Sequence, residues 1–393
     1  MTPSSSDFFE DDPHEASKLK IEAYGKYLQP LAYKLLWRNP RLCIVDGFAG
    51  AGRYEPDESD RCVDGSPLVA ARFAHQYNID HHGQGRDIRL INVERDRETY
   101  ARLTHNLAGF GDLCLNIHGR FESEVDKILG TVGRHPTLFF LDSFGMQAAD
   151  ARVIDYILGH RKGFITEFLI HFSDKALTRI AGNLHASTRR DVDRRAAESK
   201  LRNLDEIIGT SWWRGCFTND KLKSSEARCQ AAAQIYMAQL EQRGIPFVNE
   251  LRMRDAYDDP PRYRLIFATR NAHGTYLMND IAAKHEANLF AARFDGSFDM
   301  TWKRDERARE RALLRDAIYA WGLERGVATA LDVYLQFTPV EFGRWETHDY
   351  DECLRELVGL RGIDRRNARG IKIKEKLRFI PMAQGSLFGV SDA

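Results

Sequence analysis

Short apolar runs recur through the first part of the chain, each followed by a stretch with helical spacing. Leu42 to Val45 is the first run, and Ile88 to Glu94, Leu113 to His118, Thr137 to Asp142 and Ile165 to Phe172 follow it. A strand covered on both faces needs continuous apolar side chains, so these runs predict buried parallel strands. Between them, Ile21 to Leu36, Asp96 to Leu107 and Phe121 to Leu129 carry apolar residues at helical spacing. Gly65-Ser66-Pro67-Leu68 predicts a further helix start, with Ser66 as N-cap, Pro67 in the first helical position and the end near Tyr77. Strands alternating with helices imply right-handed crossovers and a parallel sheet with helices on both faces.

The pattern then changes twice. Residues 174–242 are helical and rich in charge, which predicts an insertion after the fifth strand, with Trp212 and Trp213 as core or interface residues. Pro246 to Arg252 and Tyr263 to Thr269 flank the turn residues Asp258-Asp259-Pro260-Pro261, a hairpin signal. Beyond Lys303 come three helical stretches, Glu306 to Trp321, Thr329 to Phe337 and Tyr350 to Leu360. Ile363 to Ile380 follows, with Gly370 and the alternating run Ile371-Lys372-Ile373-Lys374. Short helices followed by a two-stranded wing predict a winged-helix-like domain over 305–393, with the α/β domain over 16–300. Residues 1–15 are polar and acidic and are expected to be disordered.

Composition narrows the setting. A chain of 393 residues that is 43% hydrophobic can bury one large core and a smaller one. Lys+Arg and Asp+Glu are both 57, so any basic surface must be local. None of the six cysteines forms a C-x-x-C pair, which suits free thiols in a reducing cytoplasm better than a disulfide frame. The thirteen histidines show no H-E-x-x-H spacing, so no metal site is expected. No apolar signal core or bilayer-length run is present, so a soluble cytoplasmic protein without membrane contact is expected.

The candidate chemistry sits at strand ends. The first strand runs into Asp46-Gly47-Phe48-Ala49-Gly50-Ala51-Gly52, where glycines let the backbone approach a ligand closely. Open α/β sheets bind ligands at this carboxyl edge, although the spacing is not the dinucleotide fingerprint. Glu94 ends the second strand, where a carboxylate can accept hydrogen bonds from both ribose hydroxyls of a nucleoside cofactor. Asp142 ends the fourth, in Asp142-Ser143-Phe144-Gly145. Lys18 and Lys20 could reach a cofactor carboxylate or lie on a flanking helix face. His81-His82 is expected in a solvated loop. Arg361, Arg365, Arg366, Arg369, Lys372, Lys374, Lys376 and Arg378 crowd the expected wing, as phosphate contact or as a solvated basic face.

The glycine turn resembles the first motif of class I S-adenosylmethionine-dependent methyltransferases, whose Rossmann-like sheet also ends in an antiparallel hairpin. Taken with Gly65-Ser66-Pro67-Leu68, Asp142-Ser143-Phe144-Gly145 and Tyr263-Arg264-Leu265-Ile266-Phe267-Ala268-Thr269, it resembles the three-Cys-motif partner protein family over most of the chain. More distantly the chain is similar to large-subunit ribosomal RNA adenine N6-methyltransferases. The resemblance implies S-adenosylmethionine as cofactor and a three-cysteine-motif partner protein. Asp46, Gly47, Phe48, Ala49, Gly50 and Gly52 would hold the methionine end and Glu94 the ribose. Asp142 and the backbone after it would hold an exocyclic amine of an extruded base, with Phe144 packing nearby. Ser143 stands where the family has proline, and Gly145 where amino-directed methyltransferases have an aromatic residue. Two readings follow: a methyltransferase acting on a base amine of DNA or RNA, adenine N6 foremost, or a non-catalytic protein that binds a partner or nucleic acid. Arg365, Arg366, Arg369 and Lys372 are the expected nucleic-acid contacts.

Overall fold

The computed structural model describes residues 15–54, 63–143, 145–184, 191–293, 300–364 and 371–382. The segment expected to be disordered, Phe144 and Cys62 therefore lie outside the described residues, apart from Glu15. The chain divides into two compact units, Met1–Gly274 and Thr275–Ala393.

The first unit is built on seven strands: β1 (Arg41–Asp46), β2 (Asp87–Glu94), β3 (Cys114–His118), β4 (Thr137–Leu141), β5 (Thr166–Phe172), β6 (Phe247–Met253) and β7 (Tyr263–Thr269). Their order is β3-β2-β1-β4-β5-β7-β6. β1 to β5 run parallel, and β7 lies antiparallel between β5 and β6. This is the expected Rossmann-like methyltransferase sheet with its reversed hairpin. Every residue of β4, β5 and β7 is buried, the polar Glu167, His171 and Arg264 among them. After edge strand β3 the chain returns to the middle of the sheet and lays β4 beside β1. The order reverses between β1 and β4, so their carboxyl ends diverge into the crevice where open sheets take ligands.

Helices α1 (Glu15–Leu36), α2 (Ser66–Asp80), α3 (Arg97–Leu107), α4 (Phe121–Val132) and α5 (Ala151–His160) accompany these strands. Tyr27 of α1 donates its hydroxyl to buried Glu167 of β5 at 2.7 Å, and Thr269 of β7 donates to the same carboxylate at 3.0 Å. Two expectations about α2 are corrected. Its N-cap is Gly65, without a capping side chain. The Ser66 hydroxyl donates instead to Asp46 at 2.6 Å, a stronger, charge-assisted partner across the glycine turn. The helix also runs three residues past Tyr77, to Asp80.

The insertion between β5 and β6 comprises α6 (Asp174–Ala181), α7 (Asp191–Ile208), α8 (Trp213–Thr218) and α9 (Ser225–Gln242). Trp213 is fully buried and donates its indole N–H to Asp205 at 2.9 Å, whereas Trp212 is 70% exposed. Arg264 of β7 is completely buried. It donates Nε and Nη2 to Asp174 of α6, both at 3.0 Å, and Nη1 to Glu250 of β6 at 2.8 Å and to Gln230 of α9. Inserted helices and sheet thus share one buried guanidinium.

The second unit contains α10 (Ala272–Arg293), α11 (Met300–Arg325), β8 (Val327–Thr329), α12 (Ala330–Phe337), α13 (Thr347–Gly359), β9 (Ile363–Asp364) and β10 (Lys376–Phe379). β10 pairs antiparallel with both β8 and β9. The unit begins ahead of the 300–305 boundary read from the sequence. The reason is that α10 is anchored in it: Asn279 donates to the Trp345 carbonyl at 2.6 Å and Thr347 N–H donates to Asp280 at 2.7 Å. Arg307 of α11 meets Asp349 of α13 at 2.7 Å, and Arg311 and Arg315, one and two turns on, meet Glu352 and Glu356.

Candidate functional site

The glycine turn is fixed from both sides of β1. Gly47 N–H donates to the Phe140 carbonyl of β4 at 3.0 Å, and Ala49 N–H to the Val93 carbonyl of β2 at 2.9 Å. Gly50 and Gly52 have φ of 60° and 79°, a region that side-chain-bearing residues adopt at a cost. Asp46, at the end of β1, is 2% exposed. It accepts from Phe48 N–H at 3.1 Å and from Ser66, yet burial outweighs both and pushes its pKa up to about 7. Glu94, at the end of β2, accepts from Gly50 N–H at 3.0 Å and from Asp96 N–H at 2.7 Å. Burial raises its pKa above the usual carboxylate value against those two donors. Two strand-end carboxylates thus frame the turn.

Asp142 follows β4 directly. Its Oδ2 is ion-paired with Lys20 of α1, and its Oδ1 lies 3.7 Å from His171 Nδ1 on β5. Burial works to lower the pKa of Lys20, but the Asp142 carboxylate, then Tyr263 and Tyr54, outweighs it and holds the ammonium above its ordinary value. The Lys20 Nζ also lies 5.3 Å from the centroid of the Tyr263 ring. His171 donates Nδ1–H to the Ser143 carbonyl at 2.8 Å, which assigns the tautomer and leaves Nε2 as the basic nitrogen. Burial pushes its pKa down to about 4, so the ring is neutral near pH 7. Ser143 is buried, and its Oγ accepts from Ala148 N–H at 2.7 Å. Gly145 has φ of 104°, which disfavours the aromatic residue that amino-directed methyltransferases place there.

One cleft of about 570 Å³, open at its mouth, gathers these ends. Gly47, Phe48, Gly50, Glu94, Asp142 and Ser143 line it, together with Arg95, Gly119, Arg120, Phe121, Glu122 and Gln147.

No family model and no curated protein matches the chain. Among solved structures it is similar to protein LPL1258 from Legionella pneumophila, at 12% identity over 66% of this chain and 86% of that one, with a TM-score of 0.39. An O-methyltransferase from Bacillus cereus in complex with SAH is 12% identical over 63% of this chain and 80% of that one, TM-score 0.31. The O-methyltransferase TomG from Streptomyces achromogenes, in complex with SAM, is 15% identical over 68% and 94%, TM-score 0.30. Likeness this distant carries no argument about activity. The resemblance to three-Cys-motif partner proteins rests on the sequence motifs alone.

The fold therefore brings Asp46, the glycine turn, Glu94, Asp142 and Ser143 to one sheet edge. Gly119, Arg120, Phe121 and Gln147 were missed in the sequence, although the first three follow the third apolar run directly, at the same edge. Nothing in the sequence joins Lys20, His171 and Tyr263 to Asp142. They come from α1, β5 and β7, and local spacing does not tell which of their neighbours face one another. Among the described residues no cluster of three or more His, Cys, Asp or Glu is placed to hold a metal ion. No described helix is long and apolar enough to cross a membrane.

In the second unit Arg365, Arg366 and Arg369 lie outside the described residues. Lys372 is exposed, and its backbone N–H donates to Glu375 at 3.2 Å. Lys376 and Arg378 face outward on β10 while Leu377 and Phe379 enter the core.

Proposed function

We propose that the chain is an S-adenosylmethionine-dependent methyltransferase. The observation that carries this reading is the convergence of the glycine turn, Glu94 and Asp142 on one cleft at the β1/β4 switch point. The residues present fit that cofactor. Glu94 accepts from the backbone at Gly50, Asp96 and Arg95, and the four lone-pair sites of a carboxylate still leave room for a ribose hydroxyl. Gly50, with its positive φ, presents bare backbone where the methionine end would lie, while a Cβ on Gly47 would collide with Leu141 and Phe121. Phe121 and the Gln147 amide offer a ring face and a polar edge for a purine. When bound, S-adenosylmethionine supplies an electrophilic methyl group on a sulfonium. The chain's part is then to place a nucleophile in line with it and to exclude water.

For the substrate we propose an exocyclic amine of a nucleic-acid base, adenine N6 foremost. Asp142 Oδ1 and the Ser143 carbonyl lie 3.7 and 2.8 Å from the same His171 Nδ1, two neighbouring acceptors for the two hydrogens of an amine. Both are partly engaged, Asp142 through Lys20 on its other oxygen and the carbonyl through His171. This engagement favours a second reading, a non-catalytic protein that keeps the cofactor cleft. The partner enters the proposal through the sequence motifs alone. We read the second unit as a winged helix. From α11 onward, its order of helix, strand, two helices and two strands supports that, as does the central position of β10. The acids of α13 are answered by the arginines of α11, so any phosphate contact would fall to the wing rather than to α13.

Calorimetry with S-adenosylmethionine and S-adenosylhomocysteine tests the cofactor. A tritiated-methyl assay on total nucleic acid, followed by nucleoside mass spectrometry, tests the reaction. Methylated adenosine is expected. Binding without any methylated nucleoside would transfer the assignment to the second reading, and no binding of either cofactor form would remove the catalytic one.

A further inference from the structure

The opposite edge of the sheet carries a surface that the cleft does not use. Arg41 and Asp87 open β1 and β2 and face one another in register. The groove beside them is open, holds about 1290 Å³, and is lined by Arg41, Arg86, Arg89, His81, His82 and His135 among others. Asp87 is the single carboxylate in its lining. It is clamped by Arg41, whose Nε and Nη2 donate at 2.7 and 2.8 Å, and by Arg89, whose Nε donates at 3.0 Å. One carboxylate thus fixes two guanidinium groups in the wall while cancelling the charge of one. Arg86 has no acidic partner among the described residues. Its guanidinium lies 6.0 Å from the centroid of the Trp37 ring.

Two exposed rings border this groove. Trp37, just past α1, is 73% exposed, and Tyr33 of α1 is 54% exposed. Tyr33 meets the His81 ring edge-on at 5.8 Å, and Tyr77 stacks on the other side of the cluster at 4.0 Å from His81. One exposed aromatic is unremarkable in a folded protein. Two beside an arginine-lined groove, in a chain of zero net charge, form a specific combination of cations and ring faces. Single-stranded nucleic acid is held this way, with phosphates along a basic groove and bases stacked on aromatic side chains. A docking site for an acidic protein would be expected to have an apolar centre. Here Pro40 and Leu113 are the only aliphatic side chains in the lining, and the rest of its side chains carry polar heads.

We propose that this groove binds a single-stranded nucleic-acid segment, its phosphates against Arg41, Arg86 and Arg89 and a base on Trp37. The inference does not depend on the reading of the cleft. The six residues of β1 separate the two edges by about 20 Å. The nucleotide gripped here is therefore a different one from any that enters the cleft.

The test is fluorescence anisotropy of labelled, mixed-sequence single-stranded DNA and RNA against the full chain across a salt series. Trp37→Ala is expected to weaken binding about tenfold. Arg86→Gln is expected to reduce the slope of log affinity against log salt by about 0.7, the share of one phosphate on a single strand. Both side chains lie at the surface, so circular-dichroism melts should match the wild type. A variant with Lys221 and Lys223, exposed lysines between α8 and α9, changed to Gln should keep wild-type affinity and slope, separating the groove from a general loss of positive charge. Unchanged affinity and slope in both groove variants would overturn the proposal. So would oligonucleotide binding too weak to detect, and polyglutamate binding in that case would assign the groove to an acidic protein. No readout involves the cofactor, so failure of methyl transfer leaves this result standing on its own.

Discussion

Asp46 and Glu94 are carboxylates held where burial opposes their charge, and each is expected to register a ligand differently. Asp46 titrates near pH 7 because desolvation outweighs its two hydrogen bonds. A protonated acid does not attract a cofactor ammonium, so affinity for S-adenosylhomocysteine should rise as pH increases through about 7. Asp46→Asn should flatten that rise, and calorimetry at several pH values checks it. Glu94→Ala should weaken the same ligand by about 1.5–3 kcal/mol, the range for a hydrogen bond to a charged acceptor. Unaltered affinity would assign Glu94 wholly to bracing Gly50 and Asp96. Ser143 is a third case. Its hydroxyl satisfies the buried Ala148 N–H, so Ser143→Ala should cost about 1–3 kcal/mol in denaturant unfolding. Proline, the residue the family resemblance places there, would forfeit the same bond.

At the scale of elements, the sheet was legible because each buried strand is a short, mainly apolar run, even where single polar residues such as Glu167, His171 and Arg264 interrupt it. β2, β5 and β7 fall within a residue of the runs that predicted them, and the hairpin fell where Asp258 to Pro261 mark a turn. The glycine turn was legible because it follows such a run directly. What stayed hidden depended on partners distant in sequence. Ser66 has the local signature of a cap, but Asp46, twenty residues away, takes its hydroxyl. Lys20 and Asp142 are 122 residues apart, and periodicity cannot announce that pairing. The domain boundary was missed because the anchor of α10 is the side chain of Asn279 rather than a break in pattern. α11 supplies a further test. A Cβ on Gly322 would lie 2.1 Å from the Phe379 ring of β10, so helix and strand approach only through glycine. Gly322→Ala should destabilise the second unit by about 1–3 kcal/mol through overpacking. A thermal melt followed by tryptophan fluorescence should show it, and an unchanged melt would mean that β10 shifts freely.

On the scale of the whole molecule, stability should carry a pH signature from Glu167. Burial pushes this carboxyl up to about 7, against the pull of the Tyr27 and Thr269 hydroxyls. An acid whose folded pKa lies above its unfolded value stabilises the fold fully below the unfolded pKa and loses that contribution as pH rises through the folded one. The window here runs from about 4.5 to about 7, and the effect is on the order of 3 kcal/mol at most. Glu167→Gln keeps an acceptor for both hydroxyls and should remove this slope, which denaturant titrations across that window would reveal. Arg264 has a different consequence, for anyone who would shorten or recombine this chain. The stretch from α6 to α9 resembles a cassette between two strands, the kind of segment that is cut out to obtain a minimal catalytic core or exchanged to alter specificity. It cannot be treated so. Excision removes Asp174 and Gln230 and leaves a fully buried guanidinium with Glu250 alone, a loss that breaking a buried ion pair sets at several kcal/mol. A viable deletion would have to replace Arg264 with an apolar residue in the same step, so the insertion and the seventh strand are one heritable unit.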